Sequence, residues 1–145
     1  MFFGGAMVVP YILLAEPSNP RRLGDCGPVS GFGGRLQIRL RPSLLRGTHP
    51  TWRDRERSEP VRVRFVEDVL LHEMIHQWQQ EVTGKTEAPY HGHGPGFRDQ
   101  ANAIGAVLGL SPVRTGKARG KDRDLPSCSQ WPHCVRSEAH YDAAT

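Results

Sequence analysis

The sequence predicts an α+β fold: a small mixed sheet, one long helix and a shorter helix after it. Two hydrophobic periods carry this reading. Arg35–Arg41 alternates apolar and polar residues as a half-buried strand does. Val66, Val69, Leu70, Leu71, Met74, Ile75 and Trp78 instead make a segment that is apolar on most sides, a helix buried in a domain, which ends near Gly84. A second helical pattern follows in Phe97, Ala101, Ile104 and Leu108, with Pro95 suited to its first turn and Gly109 to its stop.

Taken in chain order, Val8–Leu14 reads as the first strand and a glycine- and proline-rich connection runs through Gly34. The strand at Arg35–Arg41 is expected at the edge of a cleft. There Leu36–Arg41 could align an extended substrate backbone by strand addition, the alternative being ordinary pairing inside the sheet. Gly47–Glu59 reads as an exposed charged loop. Val61–Arg64 alternates like a strand, but Pro60 suits the first turn of the long helix, and helix is the expectation.

At 145 residues the chain is one domain's worth of sequence. Hydrophobic residues make up 37%, with 16 Gly and 12 Pro, so the core should be modest and the turns many. The apolar start Met1–Ala15 is broken by Gly4, Gly5 and Pro10, lacks a basic leader and is too short to span a bilayer. No membrane association, a cytoplasmic location and a monomer are expected. Cys26, Cys128 and Cys134 give an odd count without a disulfide framework, which suits a reducing compartment. Cys128 and Cys134 flank Trp131-Pro132-His133, with His140 nearby, yet the spacing is not that of a zinc knuckle or ribbon. Free thiols in a packed tail are expected there.

The chemistry is concentrated in His72-Glu73-Met74-Ile75-His76. Residues four apart share a helix face, so both imidazoles can reach one Zn²⁺ while Glu73 projects beside them toward a water on the metal. Inside an apolar helix these groups need partners, because each unpaired buried polar group costs about 1–3 kcal/mol. The bland alternative is a pair of core histidines bonded to backbone. A catalytic zinc has three protein ligands and an open position. The metzincin arrangement would put glycine at 79 and histidine at 82, and the chain has Gln79 and Val82. Downstream lies His91-Gly92-His93-Gly94-Pro95-Gly96-Phe97. His93 sits at the mouth of the second helix, where a ligand can be held rigidly, and His91 lies further out in the loop.

These residues resemble the SprT-like zinc metallopeptidases, the group that includes the Spartan DNA–protein crosslink protease. The shared pattern is His72-Glu73-x-x-His76, a loop, then His93-Gly94-x-x-Phe97 and Asn102. Upstream, Arg22-Leu23-Gly24-Asp25-Cys26 and Leu36–Pro42 look like the strand region that precedes the family's active-site helix. The resemblance implies a zincin-like domain over 1–110, with 111–145 a basic loop and tail packed on it. It makes His72, His76 and His93 the zinc ligands, Glu73 the general base, and Phe97 and Asn102 supports of the second helix. Two departures stand out. Members usually begin with a long helix ahead of the first strand, and some carry a four-cysteine zinc ribbon that these cysteines cannot build.

The densest basic run holds Arg114, Lys117, Arg119, Lys121 and Arg123 among glycines, in a chain of formal charge +4. Such a loop can contact phosphates non-specifically, or it is a solvated linker. The expected activity is zinc-dependent hydrolysis of peptide bonds in a protein or peptide substrate, with DNA-associated proteins and crosslink repair implied by the resemblance. The competing reading is a catalytically silent nucleic-acid-binding protein with a structural zinc. Glu73 argues against it, since a structural site fills all four positions and has no use for a carboxylate at an open one. A zinc hydrolase acting on other bonds is a third reading.

Overall fold

The computed structural model describes residue 3 and residues 11–15, 22–28, 36–52, 58–117 and 120–142. Strands β1 (Tyr11–Leu14), β2 (Gly24–Pro28) and β3 (Leu36–Leu40) form a sheet of order β1-β3-β2. Helices α1 (Pro42–Arg46), α2 (Glu59–Trp78), α3 (Pro95–Leu108) and α4 (Glu138–Asp142) complete the α+β architecture, with short turns of 3₁₀ helix between them. Among the described residues the chain clusters into two compact units. One runs up to Met74 and takes in the stretch from Ser137; the other is Ile75–Arg136. The division falls within the continuous helix α2.

In the first unit, β3 alternates as its sequence requires. Ile38 and Leu40 are buried while Gln37 and Arg39 are half-exposed. β3 pairs in parallel with β1, Ile12 opposite Ile38, and antiparallel with β2, Cys26 opposite Ile38. The mixed sheet is as expected, but the edge role of Leu36–Arg41 is not. β3 is the central strand, its backbone hydrogen bonds are taken on both sides, and no substrate backbone can add to it. The strand that sets this order, β2, lies inside what reads as a glycine- and proline-rich connection. Its composition, Gly-Asp-Cys-Gly-Pro, carries no strand propensity. Its stability comes from neighbours. Asp25 receives a two-pronged bond from the directly opposed Arg39, Nε to Oδ1 at 2.8 Å and NH2 to Oδ2 at 2.6 Å. Gly24 lets the strand approach α2: a Cβ there would stand 3.1 Å from Val69 Cγ1 and 2.9 Å from the Arg39 carbonyl.

The core of this unit joins Ile38, Leu40 and Leu44 to Trp52, Val66 and Val69. Burying each such side chain contributes about 1.5–3 kcal/mol. Trp52 corrects the reading of Gly47–Glu59 as an exposed loop. It lies in a 3₁₀ turn, Pro50–Trp52, donates from Nε1 to the Leu44 carbonyl at 3.0 Å and meets Phe65 edge-on at 5.1 Å. α1 makes this contact available. Pro42 opens that helix and Gly47, at φ 76°, closes it. Val61–Arg64 is helical, as Pro60 in the first turn suggests. α4 is held by Tyr141, whose hydroxyl donates to the buried Asp68 at 2.8 Å, and by Arg64, which donates to the His140 carbonyl. Of the first expected strand, Tyr11–Leu14 is β1, and Val8–Pro10 lies outside the described residues.

In the second unit α2 continues into a π-helical turn, Gln79–Thr83, and stops at Gly84, whose φ of 66° few other residues adopt cheaply. α3 buries Phe97, Ala101 and Ile104, the stripe its sequence spells, and Gly109 caps it at φ 73°. Val113, Cys128 and Trp131 are buried in the same unit. Asn102 donates from Nδ2 to the Val113 carbonyl at 3.1 Å and accepts from the Val113 N–H at 2.9 Å. The chain leaving α3 is thereby pinned back on it. Among the described residues no helix is long and apolar enough to cross a membrane.

Candidate metal centre

His72 and His76 are one turn apart on α2, and His93 stands just before α3. One ring nitrogen from each of the three lies within 4.8 Å of the other two, and all three side chains are half-buried. The Nε2 atoms of His76 and His93 are 3.2 Å apart. Two nitrogens bound to one tetrahedral zinc at about 2.0–2.1 Å would stand about 3.3 Å apart, so the donor set and its spacing fit that metal.

The sequence makes His93 rigid through its backbone. Its N–H donates to the Tyr90 carbonyl at 3.0 Å, and its carbonyl accepts from the Gly116 N–H at 2.7 Å and from the Cys128 thiol at 3.5 Å. Gly116 is required by this approach, since a Cβ there would meet His93 Cβ at 3.2 Å. Phe97, fully buried, supports both rings from below, 4.7 Å from that of His76 and 5.0 Å from that of His93. Phe97 and Asn102 therefore fill the supporting places expected of them.

Gln79 fixes the tautomer of His76. Its Nε2 donates to Glu87 Oε1 at 2.7 Å and to the Gly92 carbonyl at 3.2 Å, both acceptors, which leaves Oε1 facing His76 Nδ1 at 3.0 Å. An amide oxygen only accepts, so Nδ1 carries the proton and Nε2 offers its lone pair toward His93. A half-buried imidazole prepared in this way is oriented as a metal ligand.

Glu73 is buried beside His72. Burial pushes its pKa up to about 8, the charge of Asp25 pushes in the same direction, and Arg22 opposes both. A cation held by the histidines would draw it back toward the carboxylate.

Other histidine, acidic, tyrosine and cysteine side chains fall outside the cluster. His91 is exposed, in the left-handed region at φ 51°, and outside the histidine cluster. Of the acidic residues near the loop, Glu81 accepts from Gln77 and Glu87 accepts at the start of α3. Tyr141 is committed to Asp68, and Tyr90 lies under Lys117, whose Nζ is 5.8 Å from the ring centre. Cys26, Cys128 and Cys134 are free cysteines. Burial pushes the Cys128 thiol up to about 12 and raises that of Cys134 as well, the reverse of what a thiolate ligand needs. Among the described residues no second group of three ligand atoms gathers near them.

The basic run is divided. Arg114 is half-buried and donates from NH1 to the Thr115 and Gly116 carbonyls, while its backbone bridges to Ser127. Lys117 and Arg123 are exposed, and Arg119 and the Lys121 side chain lie outside the described residues. Gln79 and Glu87 are the hydrogen-bonded neighbours of the cluster that sequence reasoning missed. The available signal was the three-residue step from His76 to Gln79, which puts both on one helix face.

A helix bearing two histidines and a buried carboxyl, closed by a third histidine just ahead of the next helix, defines an α+β protein with a three-histidine candidate metal centre. Residues 56–117 match the SprT-like family model, so the stretch that carries both histidine motifs is similar to that family. No curated protein and no solved structure matches the chain significantly.

Proposed function

We propose that this chain is a zinc-dependent metallopeptidase of the SprT-like kind, zincin-like in architecture, with His72, His76 and His93 as ligands and Glu73 as general base. The observation that carries the reading is the convergence of three histidine nitrogens within 4.8 Å beside a buried glutamate. Zinc, when bound, supplies a Lewis acid for the scissile carbonyl and lowers the pKa of water toward about 7. Glu73 takes the proton of the attacking water and returns it to the departing amine, acting from the carboxylate form that a bound cation favours. Gln79 keeps the His76 lone pair directed at the centre, and Phe97 keeps both rings from rotating away.

The substrates proposed are DNA-associated proteins, with Lys117 and Arg123 as phosphate contacts and the reaction serving DNA–protein crosslink repair in the cytoplasm. The test is cleavage of an unfolded protein, with and without DNA, by the zinc-loaded chain and by Glu73→Gln. That variant should keep zinc and lose nearly all turnover. Full activity in Glu73→Gln would remove the glutamate from the reaction. Zinc binding without cleavage by the unaltered chain would favour a silent nucleic-acid-binding protein.

A further inference from the structure

We propose that Gln79 and Glu87 are positioning residues of the metal centre, a relay that locks His76 and the start of α3, and with it His93, into one rigid ligand frame. The inference rests on the three-histidine reading of the site. Every link is a hydrogen bond. His76 Nδ1 donates to Gln79 Oε1 at 3.0 Å; Gln79 Nε2 donates to Glu87 Oε1 at 2.7 Å. Glu87 then accepts from the N–H of Phe97 at 2.9 Å on Oε1 and from that of Gly96 at 2.9 Å on Oε2.

The last two bonds make Glu87 the cap of α3. Gly94, at the capping position, has no side chain to offer, and no side-chain cap bond is made from it. A carboxylate from the preceding loop supplies the acceptor instead and meets the positive end of the helix. The backbone bears out the cost of placing it. Glu87 sits in the left-handed region at φ 55°, where a residue other than glycine, asparagine or aspartate is rare. Strain of that kind persists where the side chain gains more than the backbone loses.

The glycines around the third histidine follow from the same relay. A Cβ on Gly94 would stand 2.7 Å from Glu87 Cδ, and one on Gly96 3.3 Å from its Oε1. Gly92, at φ 86°, would bring a Cβ to 3.1 Å from His76 Cε1. The glycine directly after the third histidine is thus a space left for a carboxylate that orients the second.

The experiment measures zinc affinity by competition with a chelating indicator, together with the ¹⁵N shifts of the His76 ring in the zinc-free protein. Unaltered protein should bind one zinc and hold the His76 proton on Nδ1. Gln79→Leu and Glu87→Ala should each weaken zinc about 10–100-fold, and Gln79→Leu should release the tautomer. The exchange Gln79→Glu with Glu87→Gln should recover most of the affinity, because Glu at 79 accepts from His76 while Gln at 87 donates to it and still accepts one helix N–H. Folding of each variant is read from the zinc-free circular dichroism spectrum. If the unaltered protein binds no zinc, the metal reading fails and the relay with it. If it binds zinc and folded Gln79→Leu binds as tightly with its tautomer unchanged, the relay alone is overturned.

Discussion

Gly94→Ala is the sharpest test of how the site is packed. The backbone of Gly94, at φ −91° and ψ −163°, is open to alanine, so nothing in its conformation forbids the change. The obstacle is the new methyl, which would lie 2.7 Å from Glu87 Cδ and 3.0 Å from Tyr90 Cδ2, and closer still to Glu87 Oε2. The carboxylate has to move, and the N–H groups of Gly96 and Phe97 lose their acceptor. At about 1 kcal/mol for each lost cap bond, the variant should be destabilised by about 2 kcal/mol. For a chain of this length that lowers the melting temperature by roughly 4–8 °C. Thermal unfolding of zinc-free protein measures it, in the natural background and in Glu87→Ala. With the carboxylate gone the methyl has room, so Gly94→Ala should cost much less there, a coupling of about 1–2 kcal/mol. Equal costs in the two backgrounds would refute the argument that Glu87 occupies the space beside Gly94.

Three further outcomes are expected. His93→Ala should abolish zinc binding while His91→Ala retains it, as elemental analysis of the purified proteins would report; the reverse would move the third ligand out into the loop. Asn102→Ala leaves the N–H and carbonyl of Val113 without their partners and should cost about 2–4 kcal/mol in urea unfolding, whereas an unchanged midpoint would mean that α3 does not need this tie. Cys128, buried and with its thiol pushed up to about 12, stays protonated at pH 8 and should resist a thiol reagent until the protein is unfolded. Mass spectrometry that finds it labelled in native protein would show that the tail around it opens.

Local pattern was sufficient wherever one element contains all the partners. The three-residue and four-residue steps in α3 specify its buried stripe, and the glycines at 84 and 109 specify where the two long helical segments stop. His72, Glu73 and His76 needed no more than helix geometry, and His93 was legible as a rigid position at the mouth of a helix. What the tertiary structure decided is what no single element contains. β2 has no strand propensity and exists because Arg39 and Val69 receive it. Its presence turns β3 from an edge into the centre of the sheet. Trp52 is buried in a charged stretch because α1 brings the Leu44 carbonyl to its indole. Arg114 turns one arm of its guanidinium onto the carbonyls of its own loop. Gln79 and Glu87 are eight residues apart and read as ordinary polar positions, yet they meet across the turn that follows α2. Side-chain periodicity reports which face of one element is buried. Hydrogen bonds between elements depend on how the chain returns in space, and that is set only once the whole core has closed.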